Sequence, residues 1–251
     1  MTSPLAGEVR REPLAATDGR SGSRLERVLL ASGEPLVVKH VLAASDWLMR
    51  ATGDEGRVAE LWASGLLDRV PAVIEHAIVA VERDGAGWTV IMRDLSAALL
   101  PDGARIGRAE SRRVLEAAAA LHTAFREEPA RELCALADRY RFLSPAMARR
   151  EAAGDDPVPK LVGRGWERFG ELVAGDVAAA VGAILDRPEP FAAELARFPA
   201  TLIHGDLKLG NLGFLGDRVV LLDWGTQTGW APPAVETAWY LAINASRIQA
   251  T

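Results

Sequence analysis

The sequence is poor in the residues from which many sites are built. It holds one cysteine, Cys134, and four histidines in 251 residues. A single cysteine excludes an internal disulfide framework and a cysteine-based zinc cluster. Its expected role is that of a small apolar filler on a helix. Four dispersed histidines argue against a metal-dependent hydrolase that uses aspartates around a divalent ion, because such sites need more ligands clustered together. A basic surplus is also missing: 29 Lys and Arg stand against 34 Asp and Glu, for a net charge of −5. A broad nucleic-acid-binding face needs clustered positive charge for counterion release, so that partner class is excluded. No stretch approaches the apolar length of a membrane span, and the N-terminal MTSPLAGEVRREPLAATDG lacks the apolar core of a signal peptide. No membrane partner is expected, and a cytoplasmic location follows by default.

What is present is ordinary globular composition, 49% hydrophobic and 25% charged, long enough for two lobes with separate cores. Residues 25–40, LERVLLASGEPLVVKH, read as a hairpin in which two aliphatic runs flank the turn ASGEP, with a possible further strand upstream. Helical period appears over 45–67 and breaks near Gly53. Strands return over 72–83, AVIEHAIVAVER, and in GWTVIMRDL beyond the turn DGAG. From 102 onward the pattern is mainly helical: 108–126 carries Val114, Leu115, Ala118, Leu121, His122 and Phe125 on one stripe, and 131–151, 160–186 and 189–197 are further candidates. The short strands LIH and VVLLD follow, and then a last helix over 233–248. This order predicts an α+β chain: a strand-rich N-terminal lobe over 1–95, a linker over about 92–101, and a helical C-terminal lobe over 102–251.

The chemistry concentrates after residue 200. In TLIHGDLKLGNLGF, Asp206 is followed five residues later by Asn211, and the apolar run VVLLD ends in Asp223. Two carboxylates and an amide are hard oxygen ligands that suit Mg²⁺, which keeps several waters and is commonly completed by substrate phosphates. The spacing sharpens this. HGDLKLGN matches H-x-D-x-x-x-x-N, and DWG matches the D-x-G that ends an apolar strand in kinases.

With these two motifs in order, the chain resembles the aminoglycoside phosphotransferase and choline kinase family, the small-molecule relatives of protein kinases. Gly205 where protein kinases have arginine, Trp224 after the metal aspartate, and AAALHTAF ahead of the loop support the resemblance. It implies a bilobal protein-kinase-like fold with a small antiparallel-sheet N-lobe and a larger helical C-lobe, which bind ATP and Mg²⁺ between them. It implies transfer of the γ-phosphoryl group to a hydroxyl of a small-molecule acceptor. Asp206 would accept the hydroxyl proton, Asn211 and Asp223 would hold Mg²⁺, and Lys208 would neutralise charge on the transferred group. A nucleotide-binding relative without efficient turnover is the alternative. Relatives commonly continue past the helix that follows DWG, so the resemblance implies either a reduced helical lobe or a shortened chain. The oligomeric state and the acceptor are not legible.

On the nucleotide side the resemblance places a lysine in the third strand of the small lobe, and Lys39 in PLVVKH fits. A buried ammonium needs an anionic partner, and Glu55 and Glu60 are the two candidates. Helical phase favours Glu55, which shares a face with Val58 and Trp62, whereas Glu60 points about 200° from Trp62. The turn TDGRSGS offers backbone N–H groups through Gly19, Ser21 and Gly22 to phosphates. The linker is expected to pass the adenine, which backbone groups near Met92 and Arg93 would read. His204 is expected to brace the loop, His122 to lie in the core, and Glu236 to support the loop from the last helix. Trp47, Trp62, Trp166 and Trp239 are expected in the core or the lobe interface, and Trp230 beside the acceptor.

Overall fold

The computed structural model describes residues 3–14, 23–128 and 130–249. The turn with Gly19, Ser21 and Gly22 lies outside them.

The first part is a five-stranded antiparallel sheet with a helical excursion. Its strands are β1 (Glu8–Pro13), β2 (Arg24–Leu30), β3 (Pro35–Val41), β5 (Ile78–Asp84) and β6 (Gly87–Arg93), in the order β1-β2-β3-β6-β5; β4 (Ile74–Glu75) lies elsewhere. The β2–β3 register places Val28 opposite Leu36 and Leu25 opposite Lys39. Strand alternation then gives each face its own task. Val28, Leu36, Val38 and Ile91 form a small cluster on one face, while Val41 and Val90, on the face of Lys39, join the large core that runs into the helical part.

The excursion is two short helices, α1 (Trp47–Thr52) and α2 (Arg57–Ala63). Gly53 ends α1 in the left-handed conformation at φ 63°, as the break in helical period predicts. Asp46 caps α1 by accepting the N–H groups of Leu48 and Met49.

Residues 72–83, expected to form strand throughout, are split. Ala77 takes φ 63° and is fully buried, and its N–H is held by the Glu75 carboxylate at 3.1 Å. The kink sends β4 away from the five-stranded sheet. β4 pairs in parallel with β9 (Arg218–Leu221), which also pairs antiparallel with β8 (Leu212–Leu215). Glu75 is bonded to Arg93 at the end of β6 and, at 2.6 Å, to Arg218 of β9, so one buried carboxylate ties the sheet's exit to the second part.

The helical part opens with α3 (Arg108–Ala124). The expected helix over 131–151 is two, α4 (Leu136–Arg141) and α5 (Pro145–Glu151), because Pro145 cannot continue a helix and Ser144 caps the new one, accepting Met147 N–H at 3.1 Å. The candidate over 160–186 is likewise two, α6 (Pro157–Leu172) and α7 (Gly175–Asp186), followed by α8 (Pro188–Leu195). A two-stranded ribbon joins β7 (Thr201–Ile203) to β10 (Gly229–Ala231), and α9 (Pro233–Asn244) comes last. The strands β8 and β10 have too few residues for periodicity to mark them. The central core draws on both parts, from Leu61 and Leu66 to Leu121, Leu202 and Tyr240. Among the described residues, no helix is long and apolar enough to cross a membrane.

Candidate active site

The loop after β7 carries the first motif, and α9 holds it from behind. Gly205 takes φ 92°, and a Cβ there would lie 2.1 Å from the Gln227 carbonyl oxygen, so both conformation and space demand glycine. Its N–H donates to Glu236 Oε1 at 2.6 Å, while Glu236 Oε2 meets His122 Nε2 at 2.7 Å. Glu236 is wholly buried. Burial would raise its pKa, yet the His122 hydrogen bond prevails and holds the carboxyl below its ordinary range. Two turns along the same face of α9, Asn244 accepts the Leu209 N–H at 3.0 Å and donates to the Leu207 carbonyl at 2.8 Å. His204 is buried. Its Nδ1 accepts the Asp206 N–H at 3.2 Å, which assigns the proton to Nε2, the donor to Leu222 O at 2.9 Å. Burial lowers its pKa, so the ring is neutral and structural.

These contacts present Asp206 with both carboxylate oxygens engaged. Asn211 Nδ2 donates to Oδ2 at 3.0 Å and Trp239 Nε1 donates to Oδ1 at 3.1 Å. Each oxygen keeps a lone pair for a further donor. Lys208 Nζ stands 3.8 Å from Oδ2. Asn211 Nδ2 also donates to the Asp206 carbonyl at 3.0 Å.

The second motif folds against the first. Leu222 N–H bonds Asn211 O at 2.9 Å, and Asp223 then takes φ 69°, an uncommon conformation for a residue with a Cβ. Gly225 follows at φ 130°, with its missing Cβ 2.9 Å from Val58 of α2, and its N–H donates to Thr228 Oγ1. Arg57 of α2 reaches Thr226 O at 3.0 Å, so the helical excursion and the DWG turn are fastened together.

Lys39 reaches into this turn and is paired with the Asp223 carboxylate. Burial works against both charges, but each stabilises the other: Lys39 is raised, and Asp223 is drawn down to about 2 with Lys208 contributing. The expected glutamate partner is not there. Glu55 and Glu60 are both exposed and neither bonds Lys39; the Glu55 backbone carbonyl instead accepts the Trp88 indole N–H at 3.0 Å. The reason is local, since Glu55 falls in the turn between α1 and α2, where helical phase does not apply. The carboxylates that do face Lys39, besides Asp223, are the buried Asp46 and Asp54. Burial raises the pKa of Asp46 against the Met49 N–H that it accepts.

Lys39, Asp46, Leu48, Asp206, Asp223, Thr226 and Gln227 line one cleft between the two parts. Asp46, Thr226, Gln227 and Trp239 were not legible as site residues, because a cap, a post-motif loop and a core-type tryptophan carry no spacing signal. Trp230 does not line the cleft: its ring packs edge-on to Phe125 at 6.5 Å. At the linker, Met92 pairs with Val37 on one side and Ile78 on the other. The backbone N–H groups of Arg93 and Asp94 are already donated to Ala77 O and Pro35 O, so Arg93 has no free backbone N–H for an adenine.

The side-chain oxygens of Asn211 and Asp223 are hard donors that could hold a magnesium ion. Among the described residues there is no group of three or more His, Cys, Asp or Glu side chains suited to a metal; an amide and a carboxylate oxygen are compatible with Mg²⁺, whose remaining ligands are commonly waters and substrate phosphates. The set fits.

No curated protein matches the chain. Among solved structures, choline kinase LicA from Streptococcus pneumoniae is similar over 96% of this chain and 71% of its own, at 14% identity and a TM-score of 0.55. An aminoglycoside-3'-phosphotransferase of type VIII is 22% identical over 94% of this chain and 78% of its own, with a TM-score of 0.49. A thermostable mutant of aminoglycoside phosphotransferase APH(4)-Ia, in ternary complex with AMP-PNP and hygromycin B, is 14% identical over 97% and 77%, with a TM-score of 0.49. The first of these likenesses concerns the fold, a kinase-like α+β arrangement of antiparallel sheet and helical part. The profile of the Phosphotransferase enzyme family matches residues 15–251, nearly the whole sequence, and the chain therefore belongs to that family.

Proposed function

We propose that the protein moves the γ-phosphoryl group of ATP to a hydroxyl of a small molecule. The observation that carries this reading is the meeting of Lys39, Asp206 and Asp223, from three separate segments, at one cleft, with Asn211 bonded to the Asp206 carboxylate. The division at about residues 92–101 into a nucleotide lobe and an acceptor lobe belongs to the same reading. A solved structure of like fold is a choline kinase, and choline carries a hydroxyl, which supports a small hydroxylated acceptor.

In this reading Asp206 accepts the proton of the attacking hydroxyl, which it is free to do because Asn211 and Trp239 fix its plane while each oxygen retains a lone pair. Asn211 and Asp223 would hold Mg²⁺, which would supply positive charge to the nucleotide phosphates. Lys39, beside Asp223, would offer its ammonium to a phosphate oxygen, and Lys208, beside Asp206, would offer its own to the transferred group. Positioning and charge neutralisation are what a loose phosphoryl-transfer transition state requires, and this chain offers both. Aminoglycoside, choline-like amine, sugar and macrolide acceptors all remain compatible with the cleft.

The test is ADP release from Mg·ATP against a panel of hydroxylated metabolites and antibiotics, with wild type beside Asp206→Asn. Stimulation by at least one acceptor, lost by about a hundredfold or more in the variant, is expected. Activity that persists in Asp206→Asn removes the base assignment; Mg·ATP binding with no ADP release against any acceptor removes the phosphotransferase reading in favour of a nucleotide-binding member without efficient turnover.

A further inference from the structure

We infer that Arg139 is a positioning residue for the transfer site, clamping Trp239 so that its indole N–H stays on the Asp206 carboxylate; this rests on the reading of Asp206 as the base. Where protein kinases carry an arginine before the catalytic aspartate, this chain has Gly205. The space is not empty. A Cβ at Gly205 would lie 2.9 Å from Nη1 of Arg139, which arrives from α4, sixty-six residues earlier in the chain. A guanidinium therefore stands behind the loop, supplied by a different element.

Its surroundings are unusual for an arginine. Only 7% of Arg139 is exposed, and no carboxylate lies within ion-pair distance among the described residues. Its neighbour on α4, Arg141, is paired with both Asp138 and Glu189. The Nη1 bonds of Arg139 are long, 3.3 Å to Gln227 Oε1 and 3.5 Å to Gln227 O, and Nη2 is buried with no partner. An arginine cannot relieve this by losing its proton. A buried polar group left unsatisfied in this way calls for an account.

The account is the indole. The guanidinium carbon sits 5.6 Å from the Trp239 ring centroid, and Phe142 holds the ring at 5.9 Å. A cation on the face of an indole is attracted by the ring and polarises its N–H, and that N–H is the donor to Asp206 Oδ1. The chain of contact runs from Arg139 through Trp239 to the base. Asn211 fixes the other carboxylate oxygen from the opposite side. An arginine with a packing role alone would not need to be charged, and the cation is what this geometry retains without an anion.

The test uses the ¹H–¹⁵N indole resonance of Trp239, identified by its absence in Trp239→Phe, and the turnover of Mg·ATP with the best acceptor of the panel or with water. Arg139→Gln is expected to move the resonance toward its position in Asp206→Asn, and to lower kcat about tenfold with KM for Mg·ATP unchanged. Arg139→Lys keeps the charge and loses the planar stack, so it moves the resonance part of the way and lowers kcat about two- to threefold. Arg141→Met, on the same helix, leaves both readouts in place. The double variant Arg139→Gln/Trp239→Phe falls no further than the worse single one. A resonance that stays put in both Arg139 variants, or losses that multiply in the double variant, overturns the inference. Unchanged turnover in Asp206→Asn, with a Trp239 resonance that still follows Arg139, overturns the base assignment and spares the contact.

Discussion

Replacing Glu236 tests how the catalytic loop is held. Its carboxylate is wholly buried and satisfies two groups, the Gly205 N–H at 2.6 Å and His122 Nε2 at 2.7 Å. Glu236→Ala leaves both buried and unpaired. An orphaned buried hydrogen-bonding group costs about 1–3 kcal/mol, so the two together cost about 2–6 kcal/mol. For a chain of this size each kcal/mol moves Tm by about 2–4 °C, so a fall of roughly 10 °C is expected. Glu236→Gln keeps the shape and an oxygen for Gly205, and should cost only about 1 kcal/mol, or about 3 °C. The pH dependence has a definite sign. The folded-state pKa of Glu236 is lowered, so its contribution is fully present above the ordinary glutamate value of about 4.3 and is lost as pH falls through the lowered one. The gap between wild type and Glu236→Gln should therefore narrow as pH is taken from 6 toward 3. Thermal melts followed by circular dichroism read both effects. An alanine variant that melts within a degree of wild type, or a gap that widens in acid, refutes the reasoning.

Other perturbations follow from the same geometry. Gly205→Ala puts a methyl group against the Gln227 backbone at a positive φ, and should cost about 2–4 kcal/mol; an unchanged melting temperature would count against the loop as described. Asp223 is held at about 2, so its charge and its pairing with Lys39 are complete above the usual aspartate value and fade only as pH drops toward 2. Mg·ATP affinity should accordingly show no step attributable to Asp223 between pH 5 and 8 in calorimetric titration. Lys39→Met removes the partner that holds Asp223 down and should weaken Mg·ATP by about tenfold or more. Cys134 is buried and burial raises its thiol pKa, so it should react with an aromatic disulfide reagent only after denaturant is added.

The sequence made the candidate site legible where the proposed chemistry demands fixed spacing. HGDLKLGN and DWG place Asp206, Asn211 and Asp223 because one loop and one strand end must present oxygens together, and the apolar strand before Lys39 announces an inward lysine. The same is true of the sheet, whose hairpins follow from alternation and turn residues. What escaped was set by contacts between distant segments. Ala77 bends a run that reads as one strand, because the Glu75 carboxylate captures its N–H and ties it to Arg93 and Arg218. Helical phase chose Glu55, but the turn after Gly53 takes that residue out of any helix and leaves Asp46 and Asp54 facing Lys39. Trp239 has the spacing of a core residue and differs only in where its N–H points, which no one-dimensional pattern records.

The most direct test of the account is calorimetric titration of Mg·ATP into wild type and Asp223→Ala. The arrangement of Lys39, Asn211 and Asp223 predicts saturable binding in wild type and a loss of about tenfold or more in the variant, roughly 1.4 kcal/mol or greater. Absence of binding in wild type, or identical binding in the two proteins, contradicts it.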